Sequence, residues 1–393
     1  MDSRQRLLLA LNHQEADHVP LDIGATLLTS IHCAAYKKLR AFLGMPQVPV
    51  QMMNVCEQVA VIDEDLRQFF GVDARGVEPR DSSTYRLEIR NDLPGHSCFY
   101  DEWGIGWKMP VDGGFFYDMF YHPLAEAQSP DEVKAYPFPN PNDAQRYRGL
   151  RERARQAAEV EKQAVVLAGI SSGILELAAW LRGYEKHYAD FIDNQPLLEF
   201  LLDKALEIKL AYWERALAEA GEYVDVVEEA DDLGGQYRTL ISPKMYRAIV
   251  KPRHKTLFDF IHRHTSAKIF FHSCGAIREL IPDLIEIGVD ILNPVQVNAA
   301  GMDSSGLKRD FGKDIVFWGG GVDTQGAFGS GRVDVQAVKD DVRRRIDDLA
   351  PGGGFVFSVV HNIQANVPPQ NIIAMWKPGA MTENIKCVFP HRQ

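Results

Sequence analysis

"AKIFFHSCGAIRELIPDLIEIGVDILNPV", residues 267–295, sets two short apolar runs around one helical pattern. The runs AKIFFHSC (267–274) and GVDILNPV (288–295) have strand length and strand-like composition. Between them, AIRELIPDLIEIG spaces its apolar residues by three and four and stops at Gly288, as a helix does. Two strands joined through a helix are parallel, because a tight turn can join only antiparallel strands. The same alternation runs through the rest of the chain. AVVLAGI (164–170), EYVDVVEEA (222–230), DIVFWGGG (314–321) and GFVFSVVH (354–361) read as strands, and HVPLDIG (18–24) can add an early one. Helical patterns fill the gaps at 197–221, 242–264 and 335–353, with Ser242 as an N-cap and Pro243 in the first helical position. The prediction is an α/β fold with a parallel sheet covered on both faces, either closed into a barrel or doubly wound.

The region 81–140 breaks this pattern. Its β-like pieces and turn residues, RLEIRNDLPGHSCFYDEWGIGWKMPVDGG followed by PFPNPND, read as a β-rich insertion. The expected organisation is one barrel-sized domain over 1–393, with an N-terminal helical segment and that insertion.

Composition narrows the class. Of 393 residues, 46% are apolar and 25% charged, which is a soluble globular profile. A formal charge of -11 without a basic cluster argues against nucleic acid and anionic membranes as partners. No apolar run reaches the roughly 20 residues of a membrane span. The N-terminus, MDSRQRLLLALNHQEADHVP, reads as a short amphipathic helix and not as a secretory leader. Five scattered cysteines (Cys33, Cys56, Cys98, Cys274, Cys387) without a CxxC motif suggest reduced thiols and a cytoplasmic location.

Active sites of βα barrels lie at the C-terminal ends of the strands, so the residue after each run matters. The runs hand over to Gly169 and Ser171, to Glu228, Glu229, Asp231 and Asp232, to His272 and Cys274, to Asn293 and Gln296, to Gly319–Gly321 and Asp323, and to His361 and Asn362. His272 and Cys274 are two apart at a strand end, so both project from one face. They suit a metal ion, with His361 as the candidate third ligand. A nucleophile–base pair and two inert core residues remain alternatives for so short a motif. VDVVEEADDLGGQ crowds four acids after a strand. A solvated turn explains it simply, while a proton-transfer role would fall to Asp232 or Glu229. The glycines of FWGGGVDTQG permit close backbone approach, but no nucleotide-binding spacing is present. Asn293, Gln296, Asp323, Asn362 and Trp103 are the candidate substrate contacts. For Trp103 and Trp107, beside Asp101, cross-strand packing is the alternative to an aromatic wall over a pocket.

Taken in order, ADHVPLDIG, GISSGILELAAWLRGYEKHYADFIDNQP, ADDLGGQYRTLISPKMYRAIVKPRHKTLFDFIH, FHSCG, VDILNPVQ, FWGGGVDTQ and FVFSVVHNIQANVPPQNIIAM resemble the uroporphyrinogen decarboxylase (URO-D) superfamily over nearly the whole chain. The resemblance implies a (β/α)8 TIM barrel. It also implies one of two chemistries. True decarboxylases bind an acidic tetrapyrrole through an N-terminal arginine-rich motif, and here the corresponding DIGATLLTSIHCAAYKKLR lacks the paired arginines. The other branch is zinc-dependent methyl transfer linked to corrinoid proteins, with His-x-Cys after one barrel strand and a third ligand, usually cysteine, after a late one. His272 and Cys274 match the first part, and His361 stands at the third position. That branch implies zinc, a cobalamin supplied by a partner protein, and a small thiol, methyl ether or amine as substrate. A URO-D-like carboxy-lyase and a non-catalytic tetrapyrrole-binding protein are the alternatives.

Overall fold

The computed structural model describes residues 1–376. Seven strands form one parallel sheet: β1 (Ala74–Val77), β2 (Ala164–Leu167), β3 (Val226–Ala230), β4 (Lys268–His272), β5 (Ile291–Asn293), β6 (Val316–Trp318) and β7 (Phe355–Val356). They lie side by side in chain order. Residues 20–22 fill the eighth position. Leu21 bridges Phe357 in parallel, Asp22 N–H donates to the Phe357 carbonyl (3.0 Å), and Asp73 N–H donates to the Leu21 carbonyl (2.9 Å). That segment joins β7 to β1, and the sheet closes as a (β/α)8 TIM barrel.

Strand alternation sorts the side chains. Ala74, Val166, Val226, Phe270, Ile291, Val316, Trp318 and Val356 share one buried cluster inside the barrel. Helix α1 (Ser3–Leu11) adds Leu7 and Leu11 to it, stoppering the end where the strands begin. Its first turn is held by a capping box: the Asp2 side chain accepts from Gln5 N–H (2.8 Å), and the Gln5 side chain accepts from Asp2 N–H (3.2 Å). The odd-numbered partners Val227, Ile269 and Phe271 point outward into a second, larger core beneath the helices. Among those helices are α2 (Ile174–Arg182), α3 (Tyr184–Asp193), α4 (Gln195–Ala220), α5 (Lys251–His264) and α6 (Val335–Leu349). Ser242 does cap the turn that leads into α5, accepting from Met245 N–H at 3.2 Å. Trp213 on α4 has no exposed surface, and truncating such a residue costs about 3–5 kcal/mol.

Residues 90–121 form a four-stranded antiparallel sheet (Arg90–Leu93, His96–Tyr100, Gly106–Pro110, Asp118–Tyr121). Asp101 ties its central turn by accepting from Trp103 N–H (2.8 Å), Ile105 N–H (3.0 Å) and Trp107 Nε1 (2.8 Å).

Two features departed from the sequence reading. Strand β1 went unread, because ARGV carries a charged residue and a glycine. Arg75 pairs with Glu64 (2.6 Å) and Glu161 (2.8 Å). A Cβ on Gly76 would sit 1.9 Å from the Ala25 carbonyl, so only glycine lets the two chains pass. A small antiparallel sheet (Ile31–His32, Met52–Asn54, Val59–Ala60) also escaped notice, its strands being too short to show a period. Cys387 lies outside the described residues.

Candidate metal centre

At the mouth of the barrel, His272, Cys274 and His361 offer donor atoms that all lie within 4.8 Å of one another. His272 ends β4 and faces inward like Phe270 before it. Cys274 follows on the same face, and its Sγ lies 3.3 Å from His272 Nε2. His361 arrives from the loop after β7, its ring crossing that of His272 at 74° with centroids 5.4 Å apart.

Asn293 sets the state of the His272 ring. Its Nδ2 donates to the Trp318 carbonyl at 2.7 Å, and a carbonyl can only accept. The amide oxygen therefore faces His272 Nδ1 at 2.6 Å, and Nδ1 must carry the proton. This leaves the Nε2 lone pair free beside Cys274 and His361, the arrangement a histidine ligand needs. Burial, opposed by Asp232 and reinforced by His361, pushes His272 down to about 4, so the ring is neutral at physiological pH. Burial also drives the Cys274 thiol well above its ordinary value, with Asp232, Glu176 and Glu57 adding to the effect. A thiol in such surroundings ionises readily only when a cation is bound beside it. Two imidazole nitrogens and one sulfur fit zinc, and three protein ligands leave a fourth position open for a substrate.

The other residues singled out from the sequence divide sharply. Asp232 belongs to the centre. Its Oδ1 accepts from Cys274 N–H (2.8 Å) and lies 3.9 Å from His272 Nε2. Glu229 does not. As the outward residue of β3, it points away from the mouth and toward α4, where Lys209 Nζ (2.8 Å) and Trp213 Nε1 (2.6 Å) hold it. The correction follows from the two-residue period of a strand: if Val226 and Glu228 face inward, Glu229 cannot. Glu228 is buried inside the barrel, and burial lifts it to about 8 with Glu78 nearby. Asp231 is also spoken for, accepting from Leu175 N–H (2.8 Å), Glu176 N–H (2.7 Å) and His254 Nε2 (2.9 Å).

Gln296 braces the FHSCG turn, its Oε1 accepting from Gly275 N–H at 2.8 Å. Asp323 is occupied by Asn298 Nδ2 (2.8 Å) and Gln325 N–H (2.9 Å), and no contact joins it to the donor group. Asn362 donates to Glu57, fixing the chain beside His361. Trp103 is buried in the turn that Asp101 ties, with its carbonyl bound to the Tyr136 hydroxyl (2.6 Å). The Gly319 turn serves the fold: a Cβ there would meet the Val359 carbonyl at 2.9 Å and Asn293 Nδ2 at 3.1 Å.

Sequence reasoning missed two acids at the mouth. Glu176 lies in the first turn of α2 and is bonded to Ser172. Burial, then Asp232, lifts it to about 8. Its place in the first turn of the helix that follows β2 was the available signal. Glu57 sits in a turn of the small sheet, and nothing local marks it.

Fold and site together define a (β/α)8-barrel protein with a two-histidine, one-thiol donor group at the open end. The chain belongs to the uroporphyrinogen decarboxylase (URO-D) family, whose model matches residues 122–378. The members of this superfamily are enzymes. A curated "Uroporphyrinogen decarboxylase" of Alkalilimnicola ehrlichii is 24% identical over 385 residues, covering 94% of this chain and 92% of the relative. A solved structure of a methyltransferase from Methanosarcina mazei, of the same superfamily, superposes with a TM-score of 0.59 at 17% identity, covering 95% of this chain and 97% of the other. At that identity the likeness speaks for the fold. No helix among the described residues is long and apolar enough to cross a membrane.

Proposed function

We propose that this chain is a zinc-dependent methyltransferase, working as a single barrel unit, that moves a methyl group between a small substrate and a corrinoid carried by a partner protein. The observation that carries this reading is the convergence of His272, Cys274 and His361 within 4.8 Å at the barrel mouth. His272 Nε2, Cys274 Sγ and a ring nitrogen of His361 would hold the ion. Zinc bound there supplies Lewis acidity, which lowers the pKa of a thiol or polarises a methyl donor. Histidine in place of a second thiolate leaves the ion a stronger acid, which suits a methyl ether or amine as well as a thiol.

The chain's own groups do the positioning. Asn293 fixes the His272 tautomer, and Gln296 and Asp232 hold the backbone that presents Cys274. Asp232 is in contact with two of the ligands and is the candidate for moving a proton at the substrate heteroatom. The experiment is elemental analysis of carefully prepared protein, joined to a methylcob(III)alamin spectral assay against thiols and methoxylated aromatics. About one zinc per chain and a cobalamin spectral change with one substrate class support the reading, and metal-free wild-type protein overturns it. The decarboxylase relative keeps carboxy-lyase activity as a second reading, tested by carbon dioxide release from porphyrinogens. The N-terminal stretch DIGATLLTSIHCAAYKKLR lacks paired arginines, which weighs against a polycarboxylate substrate.

A further inference from the structure

Of the three donors, His272 and Cys274 come from the end of β4, while His361 stands on a loop. The small antiparallel sheet (Ile31–His32, Met52–Asn54, Val59–Ala60) holds that loop. Ile31 bridges Ile363 in parallel, His32 N–H donates to the Ile363 carbonyl (2.8 Å), and Ile363 N–H donates to the Ser30 carbonyl (2.9 Å). The chain is thus bonded to the edge of this sheet two residues after the ligand. One residue after it, Asn362 Nδ2 donates to the Glu57 carboxylate. Gln364 Nε2 donates to the Asn362 amide oxygen, which turns the amide with its nitrogen toward Glu57.

The turn that carries Glu57 is held to one shape. Asn54 Oδ1 accepts from Glu57 N–H (2.9 Å), and Gln58 Nε2 donates to the Val55 carbonyl (2.7 Å). Gln58 has a left-handed backbone, φ 54°, which a residue with a side chain keeps only where its surroundings enforce it. Its carbonyl accepts from Cys33 N–H at 2.8 Å. The β-rich insertion braces the same turn, Tyr117 N–H donating to the Cys56 carbonyl (2.7 Å). It also meets the sheet edge. His32 Nδ1 accepts from Ala34 N–H (3.0 Å), so Nε2 carries the proton and donates to the Phe115 carbonyl (2.6 Å). Insertion, small sheet, Glu57 and Asn362 form one run of bonds that ends beside His361.

We propose that Glu57 is a positioning residue for His361. The small sheet, with the insertion behind it, is the frame that delivers the third ligand to a centre whose other two ligands the barrel already fixes. That His361 ligates rests on the metal reading, while the placing of its ring by Glu57 does not. The variants are Glu57→Ala, Glu57→Gln, Asn362→Ala and the double alanine variant. Glutamine keeps an oxygen for Asn362 Nδ2, so it preserves the bond and removes the charge. Two quantities are measured on each full-length protein. One is the zinc dissociation constant, by chelator competition. The other is the NMR signal of the histidine rings in metal-free protein, with His361 and His272 assigned by substituting each in turn. Thermal unfolding reports whether each variant is folded, and Asn362→Ala carries the same test if Glu57→Ala does not fold.

Glu57→Ala is expected to weaken zinc binding about 10–100-fold and to shift or broaden the His361 signals while those of His272 stay in place. Glu57→Gln is expected to match wild type in both. Because Glu57 acts through Asn362, Asn362→Ala should show the same loss, and the double variant no more than the larger of the two. Unmoved His361 signals, or an unchanged zinc dissociation constant, in the folded alanine variants overturn the proposal. So does a Glu57→Gln protein that behaves like alanine, since charge and not position would then be the cause. Losses that multiply in the double variant overturn it as well. Wild-type protein that takes up no zinc overturns the metal reading alone, and the ring signals then decide the placing of His361.

Discussion

Asn293→Ala offers the strictest test of the site's geometry. Asn293 is buried and makes two bonds, accepting from His272 Nδ1 (2.6 Å) and donating to the Trp318 carbonyl (2.7 Å). Alanine leaves both partners unpaired in the barrel, and each buried unpaired group costs about 1–3 kcal/mol, so the fold is expected to lose about 2–6 kcal/mol. A protein of ordinary stability, about 5–15 kcal/mol, survives this as a folded chain. The metal effect is separate. Without the amide oxygen, His272 is free to rotate or to carry its proton on Nε2, and zinc affinity is expected to fall about 10–100-fold. Asn293→Asp separates the two effects: its carboxylate still accepts from Nδ1 but cannot donate to Trp318. It is expected to keep zinc affinity close to wild type while losing stability. Urea unfolding of the metal-free proteins and chelator competition for zinc give the two quantities independently. If Asn293→Ala binds zinc as tightly as wild type, the tautomer argument is wrong, whatever happens to stability.

Alanine at Cys274 or His361 is expected to remove stoichiometric zinc, read by elemental analysis, while unfolding stays cooperative. Lys209→Ala strands Glu229 in the outer core, with an expected loss of about 3–5 kcal/mol in a denaturant series. Zinc content should not change, and a loss of zinc in folded Lys209→Ala protein would restore Glu229 to the site. The barrel interior should give stability a pH signature of its own. Burial lifts Glu228 from the ordinary 4.5 to about 8, so between those values the folded chain keeps a proton that the unfolded chain has released. Stability should therefore fall as pH rises from 5 to 8, and Glu228→Gln should flatten that slope in urea midpoints measured across the range.

Much of the fold was legible because it rests on local pattern. The run AKIFFHSC has strand length and composition, so the sharing of one face by His272 and Cys274 followed from β4 alone, while its inward direction needed the closed barrel. HVPLDIG offered a candidate early strand, and Leu21 lying between Phe357 and Asp73 closes the sheet into a barrel. ARGV hid β1 because Arg75 and Gly76 serve neighbours far away in sequence.

For the site, residue type and strand-end position were enough to nominate His272, Cys274 and His361. They could not choose among the four crowded acids. Asp232 and Glu229 differ by three positions, and the strand period with the fixed twist of β3 sent one to the mouth and the other to Lys209. Glu57 and Glu176 reach the same mouth from separate loops, so no local pattern could announce them. The sequence by itself determined which side chains alternate, which helices form and which residues can bind a metal, since these depend on near neighbours and on chemical type. Tertiary structure decided barrel closure, the tautomer of His272 and the gathering of Asp232, Glu176 and Glu57 around Cys274. Those depend on distances between segments far apart in the chain, and only packing sets such distances.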